Sequence, residues 1–246
     1  MQKIAAMRMT VPEKSAQDFE KQIEEQLRRV RDNEPGTTLY GFVRRDPAGS
    51  TILPAARPDT TEYFHFMAFE DEASWDVHFR EEQEWWVPTF RAAIDGPLVA
   101  ERFCDENVVA VVSRDHIWTS TSVVRMAIFR FKVAQERAAE FEQEAKHQIE
   151  MVTQNEPGTI LYGFLRRQHA ASGLMPRPLD GQTEYLHYMA YDTEDAQALH
   201  LKMEHQTEGW AWGRVFRDFL VAPLESEAFT APSIVSAVTR AKQWHE

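Results

Sequence analysis

A single cysteine, Cys104, in 246 residues excludes an internal disulfide and points to a reducing compartment, the cytoplasm. No apolar run approaches the roughly 20 residues that a membrane-spanning helix needs. The opening stretch, Met1 to Met9, lacks the long apolar core and small-residue cleavage site of a signal peptide. Basic charge is scarce: 27 Lys and Arg stand against 39 Asp and Glu, a net charge of −12. Such a surface repels phosphate backbones and anionic headgroups. The doublets Arg44-Arg45 and Arg166-Arg167 are too small to reverse that, so neither nucleic acid nor membrane is an expected partner. Nucleotide fingerprints are missing too, with no Gly-x-Gly-x-x-Gly and no Walker loop. The histidines show no metal-ligand spacing; His200 and His205, five apart, are poorly placed for one helical face. Cys104, near the start of a late strand, is a poor candidate nucleophile.

What the sequence does contain is itself, twice. Asn33-Glu34-Pro35-Gly36-Thr37-Thr38-Leu39-Tyr40-Gly41-Phe42-Val43-Arg44-Arg45 recurs as Asn155-Glu156-Pro157-Gly158-Thr159-Ile160-Leu161-Tyr162-Gly163-Phe164-Leu165-Arg166-Arg167, an offset of 122 with eleven of thirteen positions identical. The same offset carries Thr61–Ala68 onto Thr183–Ala190 and His78 onto His200. Further on the offset is 126, pairing Pro97 with Pro223, Phe103 with Phe229 and Arg114 with Arg240, so the second copy gains four residues after His200. A period this long marks duplicated domains rather than a solenoid.

Each copy reads alike. Ala5, Met7, Met9 and Val11 (Ala127, Phe129, Phe131 and Val133) alternate as in a half-buried strand. Phe19, Ile23, Leu27 and Val30 (Phe141, Ala145, Ile149 and Val152) form one stripe of a helix. Asn-Glu-Pro-Gly ends that helix, because proline disfavours helical backbone before it and glycine permits the turn. Strands follow at 37–45 and 62–69 (159–167 and 184–191), then an acid-led helix and a last strand at 108–113 (234–239). The order β-α-β-β-α-β is ferredoxin-like. One such sheet has helices on one face only, so its other face needs a cover. The expected fold is α+β: two tandem ferredoxin-like domains, 1–114 and 122–246 joined by 115–121, packed sheet to sheet as an intramolecular α+β barrel pseudo-dimer.

The Glu-Pro-Gly turn into a Leu-Tyr strand, and the aromatic strand running through His65 into Glu70-Asp71-Glu72-Ala73 and His78, resemble the antibiotic biosynthesis monooxygenase family. The resemblance covers nearly the whole chain, twice, and implies a dimeric α+β barrel. It also implies cofactor-free oxygenation of an aromatic, quinol or polyketide-like small molecule, with molecular oxygen as co-substrate. In polyketide-oxidising members an Asn on the third strand, a Trp four residues on and a Tyr in the next helix line the pocket. The matching positions here hold His65, Phe69 and Trp75, and His187, Tyr191 and Gln197. Haem-degrading relatives place an axial His late in the second helix, where this chain has Trp85, Trp86 and Pro88, or Trp210 with His205 nearest. Haem binding is the less favoured alternative, and a non-catalytic ligand-binding module is the other.

His65 and His187 are the candidate general bases, since imidazole titrates near neutrality; the competing reading is a core histidine satisfied by one hydrogen bond. Tyr40 and Tyr162 are candidate donors to a substrate carbonyl, or packing residues. Phe69, Trp75, Tyr191, His78, His200, Trp86 and Trp210 are candidate pocket walls, against the simpler reading of helix-on-sheet packing. Glu62 and Glu184 are expected to be solvated or paired with a neighbouring arginine. The loops 46–60 and 168–182, with Arg57 and Arg177, are long enough for lids or binding edges. Divergence of Trp75 from Gln197, with the insertion, suggests that one pocket alone is active. The chain is expected as a monomeric pseudo-dimer or a further homo-oligomer.

Overall fold

The computed structural model describes residues 3–45, 51–52, 57–103, 107–119, 121–206, 216–230 and 234–244, without the side chains of 3, 85, 86, 89, 205, 206 and 242–244. Copy one runs β1 (Lys3–Pro12), α1 (Ala16–Asn33), β2 (Thr37–Arg44), β3 (Thr60–Phe69) and α2 (Glu72–Glu81). A π-helical turn (Glu82–Trp86) leads on to α3 (Val87–Ala93), β4 (Val99–Phe103) and β5 (Val108–Ser113). After the connector strand β6 (His116–Trp118), copy two runs β7 (Arg125–Ala134), α4 (Ala138–Asn155), β8 (Thr159–Arg166), β9 (Gln182–Tyr191) and α5 (Glu194–Gln206). It ends with β10 (Glu225–Thr230), β11 (Ile234–Thr239) and β12 (Lys242–Trp244). No described helix is long and apolar enough to cross a membrane.

The two sheets have the orders β4-β1-β3-β2-β11-β6 and β10-β7-β9-β8-β5-β12. The sheet-to-sheet pseudo-dimer is therefore present, with an exchange the sequence did not reveal. Strand β5 of copy one lies on β8 of copy two, and β11 of copy two lies on β2 of copy one. Each copy also supplies an edge strand, β4 or β10, which pairs with its own first strand. The exchange explains the glycine of the Leu-Tyr-Gly-Phe motif. Gly41 faces Ala237 across the exchanged pair, and a Cβ there would collide with the Ala237 methyl; one at Gly163 would come within 2.7 Å of Val111.

Period-2 alternation sorts β3 into two faces. Phe64 and Phe66 point into the space between the sheets, where they meet Phe229 and Trp118 at ring distances of 5.8 and 6.0 Å. Tyr63, His65, Met67 and Phe69 point to the helices. Along α1, Phe19, Ile23, Leu27 and Val30 are all buried, as their spacing requires.

Two buried arginines fasten the copies together. Arg45 places Nη1 2.5 Å from Glu62 and Nε 2.9 Å from Glu227 on the other copy's edge strand. Arg167 mirrors this, with Nε 2.6 Å from Glu101 of copy one and Nη1 on Glu184. Glu62 and Glu184 are thus paired rather than solvated. The long loops also serve the edges: Thr51 exchanges hydrogen bonds with Ser226 of β10, and Ser172 donates to Glu101 of β4 at 2.9 Å. Covering edge strands in this way blocks intermolecular pairing. Arg57 is held by Asp95, and Arg177 by Asp180.

Candidate active site

Between the copy-one sheet and its helices lies a cavity of about 780 Å³. Its floor is Ala5, Met7, Met9 and Met67 from β1 and β3; its walls include Trp75, His78, Phe79, Glu82 and Phe90; Arg91, Leu98 and Arg102 complete the lining. Phe79 and Leu98 are about half exposed at the rim, as are their counterparts Leu201 and Leu224 in copy two.

Copy two carries larger side chains at the matched floor positions. Its matched floor residues are Phe129 and Phe131, whose rings lie 5.9 and 5.8 Å from His187, and Phe131 packs on Phe164 and Phe216 at 6.2 and 6.0 Å. Unbranched, adaptable methionines in place of two phenylalanines leave copy one its open volume.

The chemistry on the cavity wall is a buried carboxylate–imidazole–carboxylate row. His78 Nδ1 lies 2.6 Å from Glu34 and Nε2 lies 2.9 Å from Glu82, one turn on in the helix. Glu34 is the glutamate of the Asn-Glu-Pro-Gly turn, held also by Thr37 Oγ1 at 2.8 Å. The tight turn swings its side chain inward, where only 3% of Glu34 is exposed. Copy two repeats the row: His200 Nδ1 lies 2.8 Å from Glu156 and Nε2 lies 2.7 Å from Glu204. Burial opposes the charge on each imidazole, but the paired carboxylates overcome it and raise both pKa values to about 9. Tyr40 donates to Glu82 at 3.2 Å, and burial with the nearby glutamates pushes its phenol well above the usual range.

His65 and His187 sit elsewhere. Both are fully buried, and each Nδ1 donates to a backbone carbonyl, Gly41 or Gly163, at 2.9 Å. Phe42 stacks on His65 at 3.9 Å and Phe164 on His187 at 4.2 Å. Burial pushes both imidazoles down to about 3, with the carbonyl bond only partly opposing it. His65 is not among the cavity-lining residues; it lies behind the floor, its ring 4.6 Å from that of Tyr40. Tyr40 and Tyr162 are likewise fully buried, and Tyr162 packs between His187 and His200. Phe69 backs Trp75 at 5.1 Å, and Tyr191 donates to Met189 Sδ at 2.7 Å. Of the sequence candidates, Trp75 and His78 line the cavity. Trp210, Cys104 and the side chains of Trp86 and His205 lie outside the described residues.

Glu34 and Glu82, with Glu156 and Glu204, were not singled out from the sequence. The signal was present: Glu34, His78 and Glu82 all map onto Glu156, His200 and Glu204 at the single offset of 122. In each row the two carboxylates sit at opposite nitrogens of the imidazole. Among the described residues no group of three or more His, Cys, Asp or Glu is placed to hold a metal.

The four buried histidines give a stability profile that can be measured. His78 and His200 have folded pKa values above the ordinary 6.5, so their contribution is full below 6.5 and lost as pH rises towards about 9. His65 and His187 have folded values below 6.5, so theirs is full above 6.5 and lost as pH falls towards about 3. Each contribution is on the order of 3 kcal/mol for His78 and His200 and on the order of 5 kcal/mol for His65 and His187. Urea midpoints are expected to peak near pH 6.5 and to fall on both sides; a flat midpoint from pH 5 to 9 contradicts the assigned protonation states.

A duplicated ferredoxin-like chain, closed sheet to sheet and holding an apolar cavity between sheet and helices, defines a tandem α+β barrel. The profile of the antibiotic biosynthesis monooxygenase family matches it twice, over residues 4–95 and 125–212, and the chain belongs to that family. No curated protein matches the sequence. Among solved structures it is similar to a candidate monooxygenase from Lactobacillus acidophilus NCFM, with a TM-score of 0.74, 13% identity and 99% of each chain covered. A candidate monooxygenase from Fusobacterium nucleatum gives a TM-score of 0.69 at 12% identity, covering 100% of this chain and 98% of that one. At such identities the likeness is one of fold.

Proposed function

We propose that this protein is a cofactor-independent monooxygenase whose single working site is the copy-one cavity, acting on an aromatic quinol- or anthrone-like molecule. The observation that carries the reading is the open apolar cavity with Glu82 and His78 in its wall, in a chain of this family. With His78 protonated, the row Glu34–His78–Glu82 bears a net charge of −1 and can accept one proton. Glu82 is the group at the cavity surface and takes the acidic proton of the substrate; the row becomes neutral as the substrate becomes an anion. No charge is created in the apolar site, only moved. The electron-rich carbanion then transfers an electron to molecular oxygen and recombines with the superoxide formed. For an activated methylene the balance is CH₂ + O₂ → C=O + H₂O. The base is therefore placed at Glu82 with His78, while His65 holds Tyr40 from behind the floor.

Oxygen uptake by the purified protein on anthrones and naphthohydroquinones tests this. Glu82→Gln keeps the size and removes the base, and is expected to lower kcat by about 10²-fold or more. Uptake by Glu82→Gln equal to that of the parent would remove the mechanism. One observation favours a second reading, a non-catalytic binding module: copy two keeps the same row beside the phenylalanines Phe129 and Phe131, as a purely structural brace for α5 would require. Saturable binding of these compounds without oxygen uptake would establish it.

A further inference from the structure

We propose that the copy-one cavity takes a planar aromatic substrate bearing a carboxylate, which Arg102 recognises beside Trp75; this rests on the reading of that cavity as the substrate site. The two copies share the framework around it, including the carboxylate–imidazole row and Glu101 and Phe103, which match Glu227 and Phe229. Two positions of that region depart together. Trp75 is matched by Gln197, and Arg102 by Ala228. In copy one these two side chains touch: the Arg102 guanidinium lies 5.5 Å from the Trp75 ring centre, and both line the cavity. Arg102 and Trp75 thus form one element of the copy-one cavity, and copy two has neither residue.

The chemistry of the pair is specific. Arg102 is exposed on edge strand β4, and among the described residues no carboxylate forms an ion pair with it. The lining's one carboxylate, Glu82, is already taken by His78. A cation–π contact with Trp75 holds the guanidinium beside the cavity and leaves its N–H groups for a planar anion. In a chain of net charge −12, Arg91 and Arg102 of the lining are local cations that draw a carboxylate in, and Arg102 is the one set beside Trp75. Trp75 and Phe79, nearly parallel at 6.5 Å, offer flat faces to the aromatic body.

The test is calorimetric titration with two probes that share one hydroxynaphthalene ring system and differ by the carboxylate, 1-hydroxy-2-naphthoate and 1-naphthol. The parent protein is expected to bind the carboxylate at least tenfold more tightly. Arg102→Ala, an exposed truncation, should bring the two within about twofold, and Arg102→Lys should keep part of the preference as a point charge without the fork. Equal affinities in the parent, or a preference that survives Arg102→Ala, overturn the anion assignment alone. Binding of both probes that survives filling the floor with Met7→Phe and Met9→Phe overturns the cavity reading beneath it, as does the failure of both probes to bind.

Discussion

Substituting Met7→Phe and Met9→Phe together is expected to abolish ligand binding and oxygen uptake while the protein stays folded. These are the residues of copy two at the matched positions, where the rings of Phe129 and Phe131 pack against His187 and its neighbours. Copy two shows that this backbone accommodates both phenylalanines, so the stability change is expected within the roughly 1–3 kcal/mol of an overpacked core. Binding of an aromatic probe should weaken by about 10²-fold or more, since the floor of the cavity of about 780 Å³ would be occupied by protein. Calorimetric titration beside a urea melt separates the two effects. Unchanged binding in a folded double variant would move the site out of this cavity.

The second large effect concerns the arginines that join the copies. Arg45→Ala leaves Glu62 and Glu227 facing each other in a buried space, and Arg167→Ala does the same to Glu101 and Glu184. Removing one partner from a buried ion pair costs about 3–5 kcal/mol, because the charge left behind stays buried without its counter-charge from the arginine. Each single variant is expected to lose that much in equilibrium unfolding. Arg28→Ala, whose partner Glu25 sits on the exposed face of α1, is expected to leave the unfolding midpoint nearly unchanged, since water and salt screen an exposed pair. A loss below about 1 kcal/mol for both buried arginines would mean that they are not the inter-copy lock described here. The pairs also bear on the exchanged strands: with β5 and β11 in the opposite sheets, neither half can withdraw without breaking both a sheet and a buried charge cluster.

Much of this arrangement could be read from the residues. The stripe Phe19-Ile23-Leu27-Val30, the alternation of β1 and the doubled Asn-Glu-Pro-Gly turn sufficed for the two domains and their sheet-to-sheet packing. Strand exchange could not be read, because Val108–Ser113 alternates identically whichever sheet receives it. Strand β4 was missed because five residues carrying Glu101 and Arg102 do not read as a strand until both side chains have partners. The site divides in the same way. His78 and His200 were visible as a repeated pair, but Glu34 read as part of a helix stop. Its burial depends on Pro35-Gly36 turning the chain so that the carboxylate faces α2, a tertiary event. His65 looked like a base because its residue type and strand position suited one; burial and the Gly41 carbonyl make it a neutral packing group instead. The substitution of Met7 and Met9 for Phe129 and Phe131 was plain in the sequence. That Met7 and Met9 face a cavity follows only once β1 is seen against the helices of copy one.

The most direct test of a single working site in copy one is methyl NMR of the methionines during titration with 1-hydroxy-2-naphthoate. Met7, Met9 and Met67 line the cavity, while Met189 marks the matching strand of copy two and Met126 the space between the sheets. The site assigned here requires saturable shifts of Met7, Met9 and Met67 with Met189 and Met126 unmoved. Shifts centred on Met189 or Met126, or no shift at the three cavity methyls, would contradict it.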